Sequence, residues 1–148
     1  MIDSEGYLIP WCPYTALQMI KMFRSGHIGI PSVSFAWTTD ALLAEKKIAT
    51  RRDWDVEYAR RFANQTIKTQ QLFLGTDKGY RNGGKAIALL QLRSLKRQPL
   101  SLMTEQDLIE EGGLWRSVEE FKGLFTCTEP YVLKFRPLIL DRELYLKL

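Results

Sequence analysis

The sequence is organised around one nine-residue stretch, residues 46–54, which reads KKIATRRDW. Within it lie four cations, a hydroxyl, a carboxylate and an indole. Lysine and arginine bind anions, and a threonine hydroxyl both donates and accepts hydrogen bonds. The composition therefore favours a binding site, although a basic strand that only contacts solvent has the same composition.

Two predicted helices flank this stretch. Upstream, residues 39–45 have a threonine cap and apolar residues at helical positions. Downstream, Trp54, Tyr58 and Phe62 recur every four residues, which places them on one face of a helix predicted at residues 56–64. The basic run is thus held between two helices, and a precise site is possible there.

The stretch and its upstream flank resemble the signature of ASCH domains, written G-x-K-x-x-T-x-R. Lys47, Thr50 and Arg52 fall on the lysine, threonine and arginine of that motif, while Glu45 stands where the family prefers glycine. The segment PSVSFAW and a short helix precede the motif in the order that the family shows. The resemblance extends over residues 31–137.

ASCH domains belong to the PUA-like superfamily, so the resemblance implies a small mixed PUA-like β-barrel with flanking helices. The periodicity agrees with this α+β fold class, because strands and helices do not alternate in a βαβ rhythm. We expect the domain to span residues 31–148, preceded by a helical N-terminal extension of residues 1–30. Strands are predicted at 67–74, 86–92, 131–136 and from 138 onward, and helices at 14–25, 104–111 and from 114 onward.

Composition sets the expected class of protein. The 148 residues suit a single domain, and 45% hydrophobic residues are enough to build a core. No apolar run approaches the roughly 20 residues that cross a bilayer, and the N-terminus lacks the order of a signal peptide. Two cysteines without partner spacing predict a reducing, cytoplasmic location, and one histidine makes a metal site unexpected. We expect no cofactor; the oligomeric state is left open.

The net charge of +4 is unevenly distributed. Residues 46–97 hold 13 lysines and arginines against 4 acids, whereas the segments on either side are acidic. Such segregation predicts a basic face, and a basic face attracts phosphates, with nucleic acid as the commonest ligand. A basic patch without any such role is the alternative.

Residues 75–85 form a glycine-rich segment. Gly79–Lys85 fits the first seven positions of a phosphate-binding P-loop, but Ala86 replaces the Ser or Thr that holds magnesium, and a strand follows instead of a helix. The sequence therefore predicts a loop, not a nucleotide-hydrolysing site. As a ligand-binding loop it would contribute Lys78, Tyr80, Arg81 and Lys85; as a simple connection between strands it would contribute none.

Two functions from different classes follow. The first is an RNA- or modified-nucleoside-binding module, whose basic cleft contains Lys47, Thr50, Arg52, Trp54 and the loop residues. The second follows from similarity to the acetylated-cytidine amidohydrolases, where the matching residues are Lys47, Thr50 and Glu111. The chain would then be a small metal-free amidohydrolase acting on an N4-acetylcytidine-like nucleoside. A purely structural subunit is the third alternative.

Arg51 and Arg52 are adjacent, and adjacent side chains on a strand point to opposite faces. Only one of them is therefore expected to face the cleft, and the motif assigns that position to Arg52. This expectation places a bound anion at Arg52, together with Lys47.

Overall fold

Five strands form one sheet in the computed structural model, which describes residues 29–79 and 82–140. Their order across the sheet is β1-β3-β4-β5-β2. The predictions for the extension up to residue 28, for Tyr80 and Arg81, and for residues 141–148 lie outside the described residues. The strands are β1 (Ser32–Ser34), β2 (Ala49–Arg52), β3 (Leu72–Thr76), β4 (Ala86–Arg97) and β5 (Tyr131–Leu140).

The sheet curls into a half-barrel. β4 and β5 are its longest strands and pair antiparallel, as do β3 with β4 and β2 with β5, whereas β1 pairs parallel with β3. The β4–β5 register shifts twice and the β3–β4 register once. Such irregularities bend a strand and increase its local twist, which contributes to the curl. The predicted α+β class with a small mixed barrel is confirmed.

Within the described residues, four helices pack around the sheet: α1 (Thr39–Leu43), α2 (Val56–Lys68), α3 (Glu105–Glu110) and α4 (Val118–Lys122). Single 3-10 turns occur at Ala36–Thr38 and Leu100–Leu102. Three of the helices begin at side-chain caps, because Asp55, Thr104 and Ser117 each accept a hydrogen bond from a backbone N–H three residues later. None of the described helices is long and apolar enough to cross a membrane.

Aromatic rings join the sheet to its covering helices. Phe73 on β3 is fully buried and packs edge-on against Phe62 of α2 and Phe135 of β5, at centroid distances of 5.6 and 5.8 Å. Phe135 in turn contacts Phe35 at 5.7 Å. Trp54 lies 5.0 Å from Phe62, so the predicted aromatic face of α2 packs on this core. The core thereby fixes the positions of both Phe35 and the end of β2.

The predicted strand at residues 67–74 is wrong in its first half. α2 continues to Lys68, and β3 begins only at Leu72. The hydroxyls of Thr66 and Thr69 donate to helix carbonyls three residues earlier, so these β-branched residues remain compatible with the helix end. Gln70 and Gln71 then take positive φ values of 58° and 68°, which turns the chain into β3.

Two other predicted elements differ in length. The helix predicted from residue 114 is confined to α4, because Ser117 caps it and Gly123 ends it. The strand predicted at 131–136 continues through Leu140, so Leu138–Leu140 lengthen β5 and start no new element within the described residues. β4 also extends five residues past its predicted end at Leu92. Local periodicity misses these extensions, since pairing with the neighbouring strand decides where a strand stops.

Candidate functional site

A cavity of about 230 Å³ opens between the end of β2, the turn after β1 and the segment from α3 to α4. We call its polar and charged lining side chains the polar wall, and its aromatic and aliphatic lining side chains the apolar wall. The polar wall consists of Ser34, Thr38, Lys47, Thr50, Arg51, Arg52 and Glu111. The apolar wall consists of Phe35, Trp37, Trp115, Phe121, Leu124 and Phe125, with Ala36 between the two.

Backbone hydrogen bonds hold Lys47 against the end of α3. Lys47 forms an isolated antiparallel bridge with Glu111, and the Ile48 N–H donates to the Glu110 carbonyl at 2.8 Å. α3 begins with a complete capping box between Thr104 and Asp107. The segment that leads into the edge strand β2 is thus paired with the end of α3, and this pairing sets Lys47 beside Glu111.

The Glu111 carboxylate lies between two cations. Lys47 Nζ donates to Glu111 Oε1 at 3.2 Å and to the Glu111 carbonyl at 2.9 Å, while Arg51 Nη1 donates to Glu111 Oε2 at 2.9 Å. All three side chains are at most 3% exposed. Burial lowers the pKa of the Lys47 amine from its usual value, and the neighbouring carboxylate partly opposes this effect.

The Arg51 guanidinium has further partners behind the cavity wall. Its Nη2 donates to Gln98 Oε1 at 2.8 Å and lies 3.8 Å from Asp107 Oδ2. The Arg51 guanidinium therefore contacts two carboxylates and an amide. Because these contacts occupy it, we interpret Arg51 as a residue that stabilises the wall. Its partner Asp107 also belongs to the capping box of α3, so one carboxylate serves both contacts.

Arg52 and Thr50 form a second polar pair. Their side chains lie on the same face of β2, two residues apart, and Arg52 Nε donates to Thr50 Oγ1 at 3.2 Å. Arg52 Nη2 also donates to the Ser34 carbonyl, and the guanidinium carbon lies 5.6 Å from the centre of the Phe35 ring. Desolvation lowers the pKa of Arg52. Among the described residues no carboxylate forms an ion pair with it.

Aromatic rings in edge contact form the apolar wall. Trp115 contacts Trp37 at a centroid distance of 5.3 Å and Phe121 at 4.5 Å, and Phe121 contacts Phe125 at 5.3 Å. Lys47 Nζ lies 5.9 Å from the centre of the Trp115 ring, so the two walls meet there. Trp37 is 64% exposed although its ring contacts Trp115, which puts a large ring at the mouth of the cavity.

The structure brings together four of the predicted site residues, since Lys47, Thr50, Arg52 and Glu111 all line this cavity. Trp54 does not line it; the Trp54 ring packs against Tyr58 and Phe62 on the other side of β2's end.

The loop that carries Lys78 and Lys85 does not line this cavity. Both side chains are exposed, and Asp77 closes the loop by accepting from the Lys85 N–H at 2.7 Å. This hydrogen bond lowers the pKa of the Asp77 carboxyl. The other two predicted contacts from this loop, Tyr80 and Arg81, lie outside the described residues.

Sequence reasoning missed the role of Arg51 and the apolar wall. Thr50 and Arg52 share a face of β2, as the alternation of side chains requires. The expectation that only one of the two arginines faces the cleft is wrong, because both line the cavity and Arg51 also pairs with Glu111. Trp37 stands in the PSVSFAW segment that carried the family resemblance, but nothing local indicated that it meets Trp115. Their contact depends on the packing of two distant segments.

A second cavity, of about 340 Å³, lies between the start of β1 and α2. Among the described residues that line it, only Arg61 is charged. The lining of this second cavity therefore points to no particular class of ligand. The described residues also contain no cluster of three metal-ligating side chains.

The chain matches no protein-family profile, no curated protein and no solved structure.

Proposed function

We propose that the chain is an RNA- or modified-nucleoside-binding module, and that the first cavity receives one nucleoside unit. Hydrogen-bond donors and aromatic rings that line one cavity side by side carry this proposal. Heteroaromatic bases stack on aromatic side chains, and their carbonyl and ring-nitrogen acceptors match donors such as Lys47, Thr50 and Arg52.

The size of the cavity supports a single base. At about 230 Å³ it is smaller than the 300–1,000 Å³ usual for drug-sized ligands. An RNA double helix is too wide for such a space, but an unstacked base from a single strand fits it. The exposed ring of Trp37, which lines the cavity, supports this view because it offers a surface for an entering base to stack on. The motif resemblance also supports the proposal, since three of its positions lie on the polar wall.

Binding measurements on single-stranded RNA oligonucleotides and free nucleosides test this proposal. Replacing Trp37 by alanine removes one stacking surface, which is worth about 1–3 kcal/mol per base, so affinity should fall roughly tenfold or more. Leu102→Ala is the matched control, because Leu102 is 62% exposed and does not line the cavity. If neither RNA nor any nucleoside binds even at low salt, the binding-module proposal fails.

An amidohydrolase acting on an acylated nucleoside is the second candidate. The observation that favours it is that Thr50 and the Lys47–Glu111 pair line the same cavity. In this reaction Lys47 first loses a proton to solvent; Thr50 Oγ1 then attacks the acyl carbon, and the Lys47 amine accepts the hydroxyl proton and passes it to the departing nucleoside amine. Water then cleaves the acyl-threonine and releases the carboxylic acid. The lowered pKa of Lys47 favours its role as base.

Incubation with a panel of N-acylated nucleosides, followed by mass spectrometry, tests this reaction. Thr50→Val keeps the shape of the side chain and should abolish turnover, whereas Thr50→Ser should retain part of it. Thr39→Val serves as the control, because Thr39 lies outside the cavity. Turnover that survives Thr50→Val would exclude Thr50 as the nucleophile, and an absence of turnover on every substrate would leave the binding module.

A further inference from the structure

The polar wall offers more hydrogen-bond donors than its own acceptors use. A guanidinium carries five N–H bonds. In Arg52 one of them goes to Thr50 Oγ1 and one to the Ser34 carbonyl, so three have no acceptor among the described residues. Lys47 uses two of its three N–H bonds on Glu111, and the Thr50 hydroxyl donates to no described acceptor.

The charged acceptors of this wall and the Ser34 carbonyl already accept hydrogen bonds. Each Glu111 carboxylate oxygen accepts from a cation, and the Ser34 carbonyl accepts from Arg52. A ligand that meets this wall therefore satisfies it best with acceptor atoms. A ligand that presents donors to it would leave buried polar groups unpaired on both sides, which costs about 1–3 kcal/mol for each group.

The charges on the wall are also unbalanced. Lys47, Arg51 and Arg52 contribute three positive charges, while Glu111 and Asp107, both in contact with Arg51, contribute two negative charges. The excess lies at Arg52, which has hydrogen bonds only to neutral oxygens and is attracted by Glu111 only through space. A cation drawn out of water without a counter-ion is unfavourable, and an anion bound to its N–H fork removes that penalty.

We infer that the ligand carries an anionic group, a phosphate or a carboxylate, which binds at the Arg52 guanidinium while its ring lies on the apolar wall. This inference rests on the proposed function and narrows it: the preferred nucleoside is a phosphorylated one, either a nucleotide unit of RNA or a free mononucleotide. Glu111 does not repel the anion, because Lys47 and Arg51 neutralise its charge.

Calorimetric titration of the full chain with matched ligand pairs tests the inference. Each of cytidine, uridine, adenosine and guanosine is compared with its 5′-monophosphate, and benzoate serves as a ring that carries a carboxylate in place of a phosphate. For every nucleoside that binds, we expect the 5′-monophosphate to bind at least tenfold more tightly than the nucleoside. The preference should weaken as potassium chloride is raised, because salt screens the charge on a partly exposed guanidinium.

Arg52→Gln removes the positive charge and keeps two donors, so the preference for the monophosphate should disappear in this variant. Arg60→Gln is the matched control, since Arg60 forms an exposed pair with Glu57 on α2 and should leave the preference unchanged. Arg52→Lys keeps the charge without the planar fork and should retain a reduced preference. If Arg52→Gln fails to fold, the comparison of ligand pairs in the wild-type chain and in Arg52→Lys still decides the question.

The outcomes separate this inference from the function on which it rests. Equal affinity for nucleosides and their monophosphates overturns the inference but supports nucleoside binding. A preference that persists in Arg52→Gln also overturns it, because the anion then binds elsewhere. Binding of benzoate through Arg52, with no binding of any nucleoside, nucleotide or RNA, supports the anion site and rejects the nucleoside-binding function.

Discussion

At the scale of single residues, Glu45 adopts a backbone conformation that usually belongs to glycine. Its φ is 59°, and its side chain is exposed in the turn between α1 and β2. The Glu45 N–H donates to the Leu42 carbonyl, and the following N–H of Lys46 donates to Ala41, so the turn is fixed by the backbone. The position is the one at which the ASCH motif has glycine, and the turn that glycine would permit is present with glutamate.

Glu45→Gly should raise the free energy of unfolding by up to about 1 kcal/mol. Glycine adopts positive φ without steric cost, and part of this gain is offset by the greater freedom of glycine in the unfolded chain. Glu45→Val should lower the same quantity by about 1–2 kcal/mol, because a β-branched residue fits this region poorly. Urea denaturation measures both; a loss in the glycine variant above about 1 kcal/mol would mean that the glutamate side chain stabilises the turn.

Arg51 illustrates how much a buried charge depends on its partner. Arg51→Met leaves Glu111 buried with Lys47 alone, and breaking such a buried arrangement typically costs about 3–5 kcal/mol. We expect the free energy of unfolding to fall by that amount. In Arg60→Met, where an exposed ion pair on α2 is lost, it should fall by about 1 kcal/mol or less. Similar small losses in both variants would show that water solvates Glu111 when Arg51 is absent.

At the scale of elements, the segment after α3 controls how Glu111 meets Lys47. Gly112 has a φ of 121°, and a Cβ placed there would lie 3.1 Å from Ala41 Cβ and 3.6 Å from Lys47 Cβ. Gly113 also has positive φ, 69°, but a Cβ there would meet no described atom within 4 Å. Comparing substitutions at the two glycines therefore separates the effect of backbone strain from the effect of steric contact with the cavity wall.

Gly112→Ala should lower the free energy of unfolding by about 2–4 kcal/mol, since strain and crowding both act at this site. Gly113→Ala should lower it by about 1–2 kcal/mol, through backbone strain alone. Thermal or denaturant unfolding gives both values. Because Gly112 lies against Lys47, its variant should also weaken ligand binding, whereas the Gly113 variant should not; the opposite ranking would contradict the packing described here.

At the scale of the whole molecule, the basic segment of the sequence folds onto several surfaces. Lys47, Arg51 and Arg52 are drawn into the cavity wall, while Lys78 and Lys85 stay exposed on the loop after β3. That loop begins beside the cavity, because Thr76, the last residue of β3, accepts a hydrogen bond from the Phe35 N–H. Under the proposed function, we expect an RNA strand whose base enters the cavity to reach the cations on this loop.

Salt dependence tests this arrangement. For single-stranded RNA, the logarithm of the binding constant should fall with the logarithm of salt at about −0.7 per phosphate contacted, and three to five contacts give a slope of about −2 to −3.5. Replacing both Lys78 and Lys85 by alanine should flatten the slope by about 1.4. Lys68→Ala, at the end of α2, should leave it unchanged. An unaltered slope in the double variant would show that the loop takes no part in binding.

The sequence by itself determined the features that depend on short-range interactions. The caps at Asp55 and Thr104 were readable because a capping side chain bonds to a backbone N–H only three residues away. The strand and helix classes followed from local periodicity, and the alternation of side chains along a strand predicted that Arg51 and Arg52 point to opposite faces. The lysine, threonine, arginine and glutamate of the candidate site came instead from the resemblance to the ASCH motif and to the acetylated-cytidine amidohydrolases.

Only the tertiary structure decided which of these residues meet and what surrounds them. Arg51 and Glu111 are 60 residues apart in the chain and pair because α3 packs beside the edge strand β2. The contact between Trp37 and Trp115 likewise joins segments whose sequences carry no sign of each other. Trp54, a candidate for the site, is instead half-buried and packs against the core beside Phe62, because contact of an indole with other rings is favourable. Such contacts depend on how the sheet curls, and that curvature is a property of all five strands together.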